Sequence, residues 1–559
     1  MRFCVSLLCS MTALVGLSAA TLAREQPLAA LVPAEAIVYL ATPDVELLDR
    51  QWTGASFYRL WQDDALRDFR SSFYEATRFT AGMSWQQLLD VASGEACLAL
   101  LPVGEQDTGF LLLVDVSQHA EKAAALVDEL REQYAKADDV VRICFLEAGV
   151  LGVTNREEIG RRVLEWLANP QAESLASSET FRAVGEHSRA AAGDAPLHLT
   201  WYLDPWAFQS VARQAGAANA DKTWQRLAGE GFQVIRAAGG AMSFATAEHD
   251  LKHHWFVFAP GEREKAARML DFSSLAELEL PSWIPANVDS VLSVHWSLAA
   301  ALAGYGSWFD ANWAEGEAGT FEAVLEDIRT EPDGPQVDIA ELLKLQAGPV
   351  LSMSAAVETF PGRRSEMVYA MKLESDQQPA EALPRMFQTD EGVRRASAGE
   401  HEMWVFDEAD PDGAAASSAL GPDLSGYAIS VAHGYLYVAT SETLLKQLLS
   451  DPKAAKYVDD DSYRQLQTES APHRPESCIG WRVSPQAAGL RPLYESFRTG
   501  GAVDLGQLLG DDPSDEHGVD FSKLPAGDIL PKFIAAGFGF VSQLDDGWLL
   551  GGYVLKSSE

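Results

Sequence analysis

Val32-Pro33-Ala34-Glu35 leads into the apolar run Ile37-Val38-Tyr39-Leu40, and the same phrase returns where Ile284-Pro285-Ala286-Asn287 leads into Val291-Leu292-Ser293-Val294. Other local patterns recur in the same order after each phrase. The matched pairs are Tyr58 and Trp61 with Tyr305 and Trp308, Ser84–Leu89 with Asp338–Leu343, Gly149–Val153 with Gly434–Val438, Ser178–Arg182 with Asp460–Arg464, and Trp201–Pro205 with Trp481–Pro485. Because the matches are separated by the length of a whole domain, they predict two tandem domain-sized copies.

The recurring segments keep the same helix start signals. Ser84 and Asp338 each suit a helix N-cap, because a side-chain oxygen there accepts from free backbone N–H groups of the first turn. Gln87 and Glu341 stand three residues later, which predicts a capping box in both segments. The side chains differ while the start signals remain, a pattern that preserves a fold.

Apolar alternation around turn residues predicts pairs of strands separated by helices. One expected hairpin joins Gly240–Ala247 to Lys252–Ala259, and another joins Gly537–Gln543 to Trp548–Leu555. Hairpins between helices favour the α+β class, with an antiparallel or mixed sheet in each copy and helices packed on one face.

The expected organisation has three parts. Residues 1–23 are expected to be a leader, residues 24–280 the first copy and residues 281–559 the second copy. The second copy contains longer acidic stretches that predict irregular surface loops, namely Asn312–Gln336, Asp407–Leu424 and Thr499–Gly527.

The N-terminus predicts export. Arg2 precedes an apolar stretch from Phe3 to Leu17, and small residues then allow cleavage after Ala20 or Ala23, as in a secretory signal peptide. No later segment has a long enough apolar run to predict a membrane span. We therefore expect a soluble periplasmic or extracellular protein.

The charge of the chain excludes some classes of partner. The sequence has 43 Lys and Arg against 81 Asp and Glu, a net charge of −38, which repels nucleic acid and anionic lipid head groups. An apolar content of 47% supplies residues for packed cores. We expect an envelope protein or ligand of unknown identity as partner, with the oligomeric state open.

Three cysteines remain once the leader is removed, namely Cys97, Cys144 and Cys478. Their spacing matches no metal motif, and they are interpreted as buried small apolar residues. A disulfide between Cys97 and Cys144 is the alternative that the sequence leaves open.

The sequence contains no P-loop, no Gly-x-Ser-x-Gly elbow, no His-Glu-x-x-His and no Cys-x-x-Cys. His249, His253 and His254 are close enough in sequence to hold a metal ion. However, His253 and His254 point to opposite faces of the predicted strand, and the second copy has no histidine there. A solvated hairpin end is the preferred interpretation.

Three other groups of residues are weak candidates. Glu408–Gly413 places Asp410 and Asp412 as in a calcium loop, but Ala419 stands where a bidentate Glu is needed, so an acidic turn is preferred. Trp61, Trp201, Trp308 and Trp481 recur at matched positions, which favours core packing over sugar stacking. Arg182 and Arg464 are interpreted as ion-pair residues, with a ligand clamp as the alternative.

Choosing a catalytic carboxylate pair, such as Asp44 with Asp204, is arbitrary. No catalytic, cofactor-binding or metal residue is therefore assigned.

Leu31–Leu40 behind a signal peptide, together with Ser178–Arg182, resembles a group of uncharacterised bacterial exported proteins of unknown function. In that group a Leu-Pro-Ala-acid phrase precedes a strand, whereas this chain has Val32 before the proline. The resemblance implies an exported protein with large α+β repeats and carries no catalytic residues over.

The leading hypothesis is an exported, non-catalytic binding or scaffolding protein of the bacterial cell envelope, without a cofactor. One alternative is a secreted or periplasmic hydrolase whose site is built from the loops of one copy. The other is a cation-dependent adhesion module that uses the acidic stretches of the second copy.

Overall fold

The structure is a computed structural model. It describes residues 26–81, 84–104, 107–135, 143–169, 173–214, 219–273, 279–314, 316–359, 362–388, 390, 392–407, 426–450, 455–485, 490–499, 502–503 and 519–557. We call residues 26–273 the N-terminal half and residues 279–557 the C-terminal half. The expected leader and the acidic turn at Glu408–Gly413 lie outside the described residues.

The N-terminal half alternates strands with helices. Its strands are β1 (Val38–Thr42), β2 (Ala96–Val103), β3 (Asp107–Asp115), β4 (Ile143–Glu147), β5 (Val150–Thr154), β6 (Leu199–Leu203), β7 (Ala237–Phe244) and β8 (His249–Phe258). Its helices are α1 (Val45–Gly54), α2 (Ser56–Gln62), α3 (Arg67–Ala81), α4 (Trp85–Leu89), α5 (Ala120–Tyr134), α6 (Glu157–Ala168), α7 (Glu179–Ala192), α8 (Phe208–Gln214) and α9 (Ala220–Gly229).

The C-terminal half also contains both strands and helices. Its strands are β9 (Ser290–Val294), β10 (Gln346–Thr359), β11 (Gly362–Leu373), β12 (Val393–Ala398), β13 (His401–Phe406), β14 (Ala428–Ala432), β15 (Tyr435–Ala439), β16 (Cys478–Ser484), β17 (Ala502–Val503), β18 (Val519–Asp520), β19 (Gly537–Leu544) and β20 (Gly547–Leu555). Its helices are α10 (Leu298–Trp313), α11 (Thr320–Thr330), α12 (Ile339–Lys344), α13 (Gln377–Met386), α14 (Glu442–Ser450), α15 (Asp461–Ser470) and α16 (Arg491–Arg498).

Among the described residues, one 18-stranded antiparallel sheet contains every strand except the short pair β17 and β18. From edge to edge the order is β4, β5, β3, β2, β1, β6, β7, β8, β20, β19, β16, β9, β10, β11, β15, β14, β13, β12. The α+β class and the expected hairpins are confirmed, since helices and a large antiparallel sheet alternate along the chain.

The strand pairings of the two halves follow the same order. In the N-terminal half β1 pairs with β2 and β6, β3 with β2 and β5, β4 with β5, and β7 with β6 and β8. In the C-terminal half β9 pairs with β10 and β16, β11 with β10 and β15, β14 with β15, and β19 with β16 and β20. The hairpin β12–β13 extends the second series beyond β14.

Both faces of the sheet are covered in the N-terminal half, so the expectation of helices on one face is wrong there. Val38 of β1 packs in one apolar cluster with Phe73 of α3, while the next residue, Tyr39, packs in a second cluster with Val163 of α6. Every residue of β5 is buried. A strand buried on both faces is apolar along almost its whole length, so its sequence does not alternate between apolar and polar residues.

The described cores do not stop at the boundary expected near residue 280. Phe521 of the C-terminal half lies 5.5 Å from Phe69 of α3, ring centroid to ring centroid, and shares its apolar cluster. Conversely, Phe232 of the N-terminal half packs against the C-terminal half, with its ring centroid 5.9 Å from that of Trp308 on α10. Each half therefore places a segment against helices of the other.

The capping prediction is confirmed in full only in the first segment. Ser84 Oγ accepts from the Gln87 backbone N–H, and Gln87 Oε1 accepts from the Ser84 N–H. Asp338 likewise accepts from the Glu341 N–H at 2.9 Å, but the Glu341 carboxylate binds Lys344 instead of completing a box. Lys344 stands three residues after Glu341 and offers it a positive charge, whereas the first segment has Asp90 three residues after Gln87.

The expectation of an irregular loop at Asn312–Gln336 is wrong, because helix α11 occupies much of it. Of Thr499–Gly527, the described part forms short strands and a 3-10 turn. Asp407–Leu424 falls almost wholly on residues outside the described ranges. Within the described chain, none of the helices combines the length and apolar character needed to cross a membrane.

Candidate functional site

The two halves meet where β8 pairs with β20 at the centre of the sheet. The pairing runs antiparallel from Phe258 opposite Gly547 to Leu251 opposite Val554. Gly551 and Gly552 stand opposite His254 and His253. A Cβ at position 552 would come within 2.1 Å of His253 Nε2, so the missing side chain leaves room for the imidazole. We call this strand pair the central joint.

His253 and His254 lie on opposite faces of β8, as strand geometry predicts. The His253 ring packs 4.8 Å from the Trp255 ring. His254 is 4% exposed, and its Nε2 lies 3.1 Å from the hydroxyl of Tyr553 on β20. The two histidines therefore cannot share one metal ion.

Burial keeps both rings neutral over a wide pH range. Desolvation lowers the pKa of His254 to about 3, helped by the positive charge of Lys252. Desolvation also lowers the pKa of His253 to about 4, with a smaller contribution from Arg482. The interpretation of this segment as a solvated hairpin end is wrong, because His249 and His254 are only 3% and 4% exposed.

At the beginning of β8, His249 forms a cluster with residues of the C-terminal half. His249 is only 3% exposed. The centroid of its ring lies 5.2 Å from that of His473 and 5.1 Å from that of Tyr553. Glu248 is exposed beside it, and the ligand atoms that Glu248, His249 and His473 offer lie within 4.8 Å of one another. We call these three residues the joint cluster.

Burial also acts on the histidines of the joint cluster. Desolvation lowers the pKa of His249 to about 4, with a further contribution from His473. It lowers the pKa of His473 as well, and nearby Lys252 adds to that effect. Both imidazoles are therefore neutral near pH 7, the form in which a ring nitrogen has a lone pair to offer.

Local bonds fix the turn that carries His249. Thr246 Oγ1 accepts from the His249 backbone N–H and donates to the His249 carbonyl. The next residue, Asp250, is buried and accepts from the Ser56 N–H with both oxygens, at 2.9 and 3.1 Å. Burial raises the pKa of Asp250, against the lowering effect of the bond from Ser56. The turn is thereby tied to the start of α2.

His473 approaches from the other half on the 3-10 turn Ala471–His473, which directly follows α15. Its ring lies 4.5 Å from Tyr553 and 5.7 Å from Phe538. Sequence reasoning missed His473, because it is far from His249 in the chain and stands in no metal-ligand spacing. The local pattern around it, Ala-Pro-His-Arg-Pro, indicates a turn and nothing more.

The structure places the other candidate residues apart from the joint cluster. Trp61 and Trp481 are buried in the core as expected, whereas Trp201 and Trp308 are half-buried. Arg464 pairs with Asp461 at 2.9 Å, as expected of an ion-pair residue. Arg182 is exposed and forms no ion pair with any described residue. Asp204 accepts from the backbone of Trp206 and Ala207, and Asp44 caps α1, so both carboxylates act at helix starts.

Cys97, Cys144 and Cys478 are free thiols in buried positions, which confirms their interpretation as small apolar residues. Cys97 and Cys144 belong to clusters on opposite faces of the sheet. Desolvation raises the pKa of both thiols, which disfavours the reactive thiolate.

The joint cluster offers two imidazoles and one carboxylate, the ligand types that divalent transition ions take in proteins. Searches against protein-family models, curated proteins and solved structures find no match to this chain.

Proposed function

We propose that this chain is an exported, non-catalytic binding or scaffolding protein of the bacterial cell envelope, built from two tandem copies of one domain. The observation that carries the proposal is the order of strand pairing, which runs through β1 to β8 and again through the C-terminal half to β20. A fold kept twice within one large sheet supports a role in which shape and surface matter more than a single reactive centre.

The central joint supports the duplication. β8 and β20 occupy the last position of their respective series, and they pair with each other antiparallel. Two equivalent strands that pair antiparallel are related by a local two-fold axis, as in many symmetric dimers. A fused pair of once separate domains accounts for that arrangement.

The chemistry of the joint supports a non-catalytic role. β8 contributes His253 and His254 to the joint, whereas the residues that face them on β20 are Gly552 and Gly551. The two strands end their respective series, yet they contribute different polar groups. Asp250, His254 and Asp204 are engaged in bonds that hold strands and helix starts in position. These side chains stabilise the architecture.

Export rests on the predicted signal peptide, and cell fractionation tests it. Cells that produce the full chain should hold it in the periplasm or medium, with an N-terminus at Thr21 or Arg24 by N-terminal sequencing. Leu14→Arg places a charge within the apolar stretch and should keep the chain in the cytoplasm. A wild-type chain recovered from the cytoplasm with Met1 or Arg2 at its N-terminus would contradict export.

Ligand binding is tested by thermal unfolding of residues 24–559 with envelope glycans, envelope peptides and calcium. A ligand that binds only the folded chain raises Tm by mass action. We expect one class to raise Tm without being altered. Chemical conversion of that ligand during incubation, read by mass spectrometry, would favour the hydrolase instead.

A further inference from the structure

We infer that the joint cluster, Glu248, His249 and His473, binds one divalent transition-metal ion of the zinc class and thereby links the N-terminal half to the C-terminal half. The proposal rests on the positions of these three side chains and does not depend on export or on a scaffolding role.

The distances suit a site that closes around the ion. Zinc takes imidazole nitrogen and carboxylate oxygen at about 2.0–2.2 Å, which places tetrahedral ligand atoms about 3.4 Å apart. The three ligand atoms already lie within 4.8 Å of one another. Glu248 is exposed and His473 half-buried, so side-chain rotation of these two can bring their ligand atoms toward the buried His249.

The ring nitrogens are available for coordination. Among the described residues, neither imidazole of the cluster forms a hydrogen bond through its ring, and the Glu248 carboxylate forms no ion pair. Aromatic rings hold the imidazoles instead, since Tyr553 and Phe538 stack 4.8 Å apart and pack beside both histidines. These contacts surround the imidazoles without using the lone pairs of their ring nitrogens.

The surrounding charges are balanced. The positive charge of Lys252 acts on both His249 and His473, that of Lys556 acts on His249, and the negative charge of Glu469 acts on His473. The ammonium of Lys252 donates to the Ala192 carbonyl at 2.9 Å, which holds it on α7. A dication therefore meets two carboxylates as well as two ammonium groups, and three protein ligands leave its fourth position for water or a ligand from outside the chain.

The ion would act across the central joint. Glu248 and His249 belong to the N-terminal half and His473 to the C-terminal half, so a bound ion adds a link that exists only in the folded chain. Binding energy of that kind appears as stability of the fold.

The test is zinc titration of residues 24–559 by calorimetry after treatment with a chelator, with cobalt as a spectroscopic probe. We expect one zinc ion per chain, a rise in Tm with zinc and a visible cobalt spectrum typical of tetrahedral nitrogen and oxygen ligands. His473→Ala and Glu248→Gln should each weaken zinc binding by about tenfold or more, since even outer-shell changes cost that much.

A matched control is present in the C-terminal half. His401 and His433 lie 4.8 Å apart, ring centroid to ring centroid, and no carboxylate or thiol within the described ranges joins them as a third ligand. His433→Ala should leave the zinc affinity and the zinc-dependent rise in Tm unchanged. His473→Ala lies on a half-buried turn and keeps β8 intact, so it tests the site even if His249→Ala fails to fold.

Two results would overturn the proposal. One is the absence of zinc binding to the chelator-treated chain that circular dichroism shows to be folded. The other is equal zinc affinity in the wild type, His473→Ala and Glu248→Gln, because binding would then belong to other residues.

Discussion

At the scale of single residues, the middle of the sheet is built from histidines that face glycines. The ring of His253 occupies the space above Gly552 and packs on Trp255, so a new methyl group at 552 has no room unless the ring moves. Gly552→Ala should therefore lower the free energy of unfolding by about 1–3 kcal/mol, the usual cost of overpacking. Denaturant unfolding measures it.

A second glycine provides the control. Gly185 lies within α7, and a Cβ there would meet nothing within 4 Å. Gly185→Ala should raise stability by up to about 1 kcal/mol, because alanine loses less entropy in a helix. Equal effects of the two substitutions would show that His253 does not occupy the space over Gly552.

The buried histidines also predict how stability depends on pH. The pKa of His254 is about 3 and that of His253 about 4 in the folded chain, whereas an unfolded histidine titrates near about 6.5. As the pH falls below that value the unfolded chain takes up protons first. Stability is thus fully present above the unfolded pKa and is lost as the pH falls toward the folded pKa, by up to about 1.4 kcal/mol per pH unit for each histidine.

His254→Gln removes one titrating group and keeps a polar atom near Tyr553. We expect a shallower loss of stability in acid than in the wild type, measured by denaturant unfolding at a series of pH values. An identical slope in both proteins would show that His254 is not held neutral by burial.

The sequence could predict only part of the central joint and did not predict the joint cluster. The alternation of strand residues correctly placed His253 and His254 on opposite faces, because that geometry is local. It could not show that the strand lies in the centre of the sheet, nor that His473 packs against His249. Both facts depend on pairing between distant segments.

At the scale of elements, α11 begins without a side chain at its own N-cap. Gly319 stands at that position with a left-handed φ of 88°, and the Asp310 carboxylate supplies the missing acceptor, taking the Gly319 and Phe321 N–H groups at 2.7 and 2.9 Å. Asp310 belongs to the preceding helix α10. The expectation of a loop here failed because the cap comes from another element.

Asp310→Ala should release the start of α11 and lower the free energy of unfolding by about 1–2 kcal/mol, the usual cost of a lost cap. Hydrogen exchange of the amides at residues 319–323 should become faster than in the wild type. Asp310→Asn keeps one acceptor oxygen and should cost less. Unchanged exchange in Asp310→Ala would mean that the carboxylate does not hold this helix.

The elements that sequence reasoning placed well are those whose signals are local. Ser84 with Gln87 marks the start of α4, and alternating apolar residues mark the hairpins at the ends of both halves. Covering helices on both faces of the sheet, by contrast, are a property of packing. Apolar residues on both sides of β5 could also have indicated a buried helix segment.

At the scale of the whole molecule, two expected domains share one sheet and exchange packing segments. Phe521 is 4% exposed within a cluster made mostly by the N-terminal half. The chain should therefore unfold in a single transition by calorimetry. Phe521→Ala should destabilise it by about 3–5 kcal/mol, as is usual for a buried phenylalanine, and should speed exchange of the β1–β3 amides.

Fragments give an independent check of that coupling. Residues 24–280 alone lack Phe521 and the partner of β8, so we expect them to show little fixed tertiary structure by near-UV circular dichroism. Mixing with residues 281–559 should restore it. A fragment that folds alone, with an unfolding transition like that of the full chain, would show two independent domains.

The place of β20 beside β8 also sets an order for biosynthesis. β8 is complete long before the ribosome reaches Gly547, yet one of its edges pairs with β20, which begins there. Until then the nascent chain presents an open edge, which other chains can pair with. A chain released before β20 has been synthesised is therefore exposed to pairing with its neighbours, so translation must continue through Leu555 before this edge of β8 is covered.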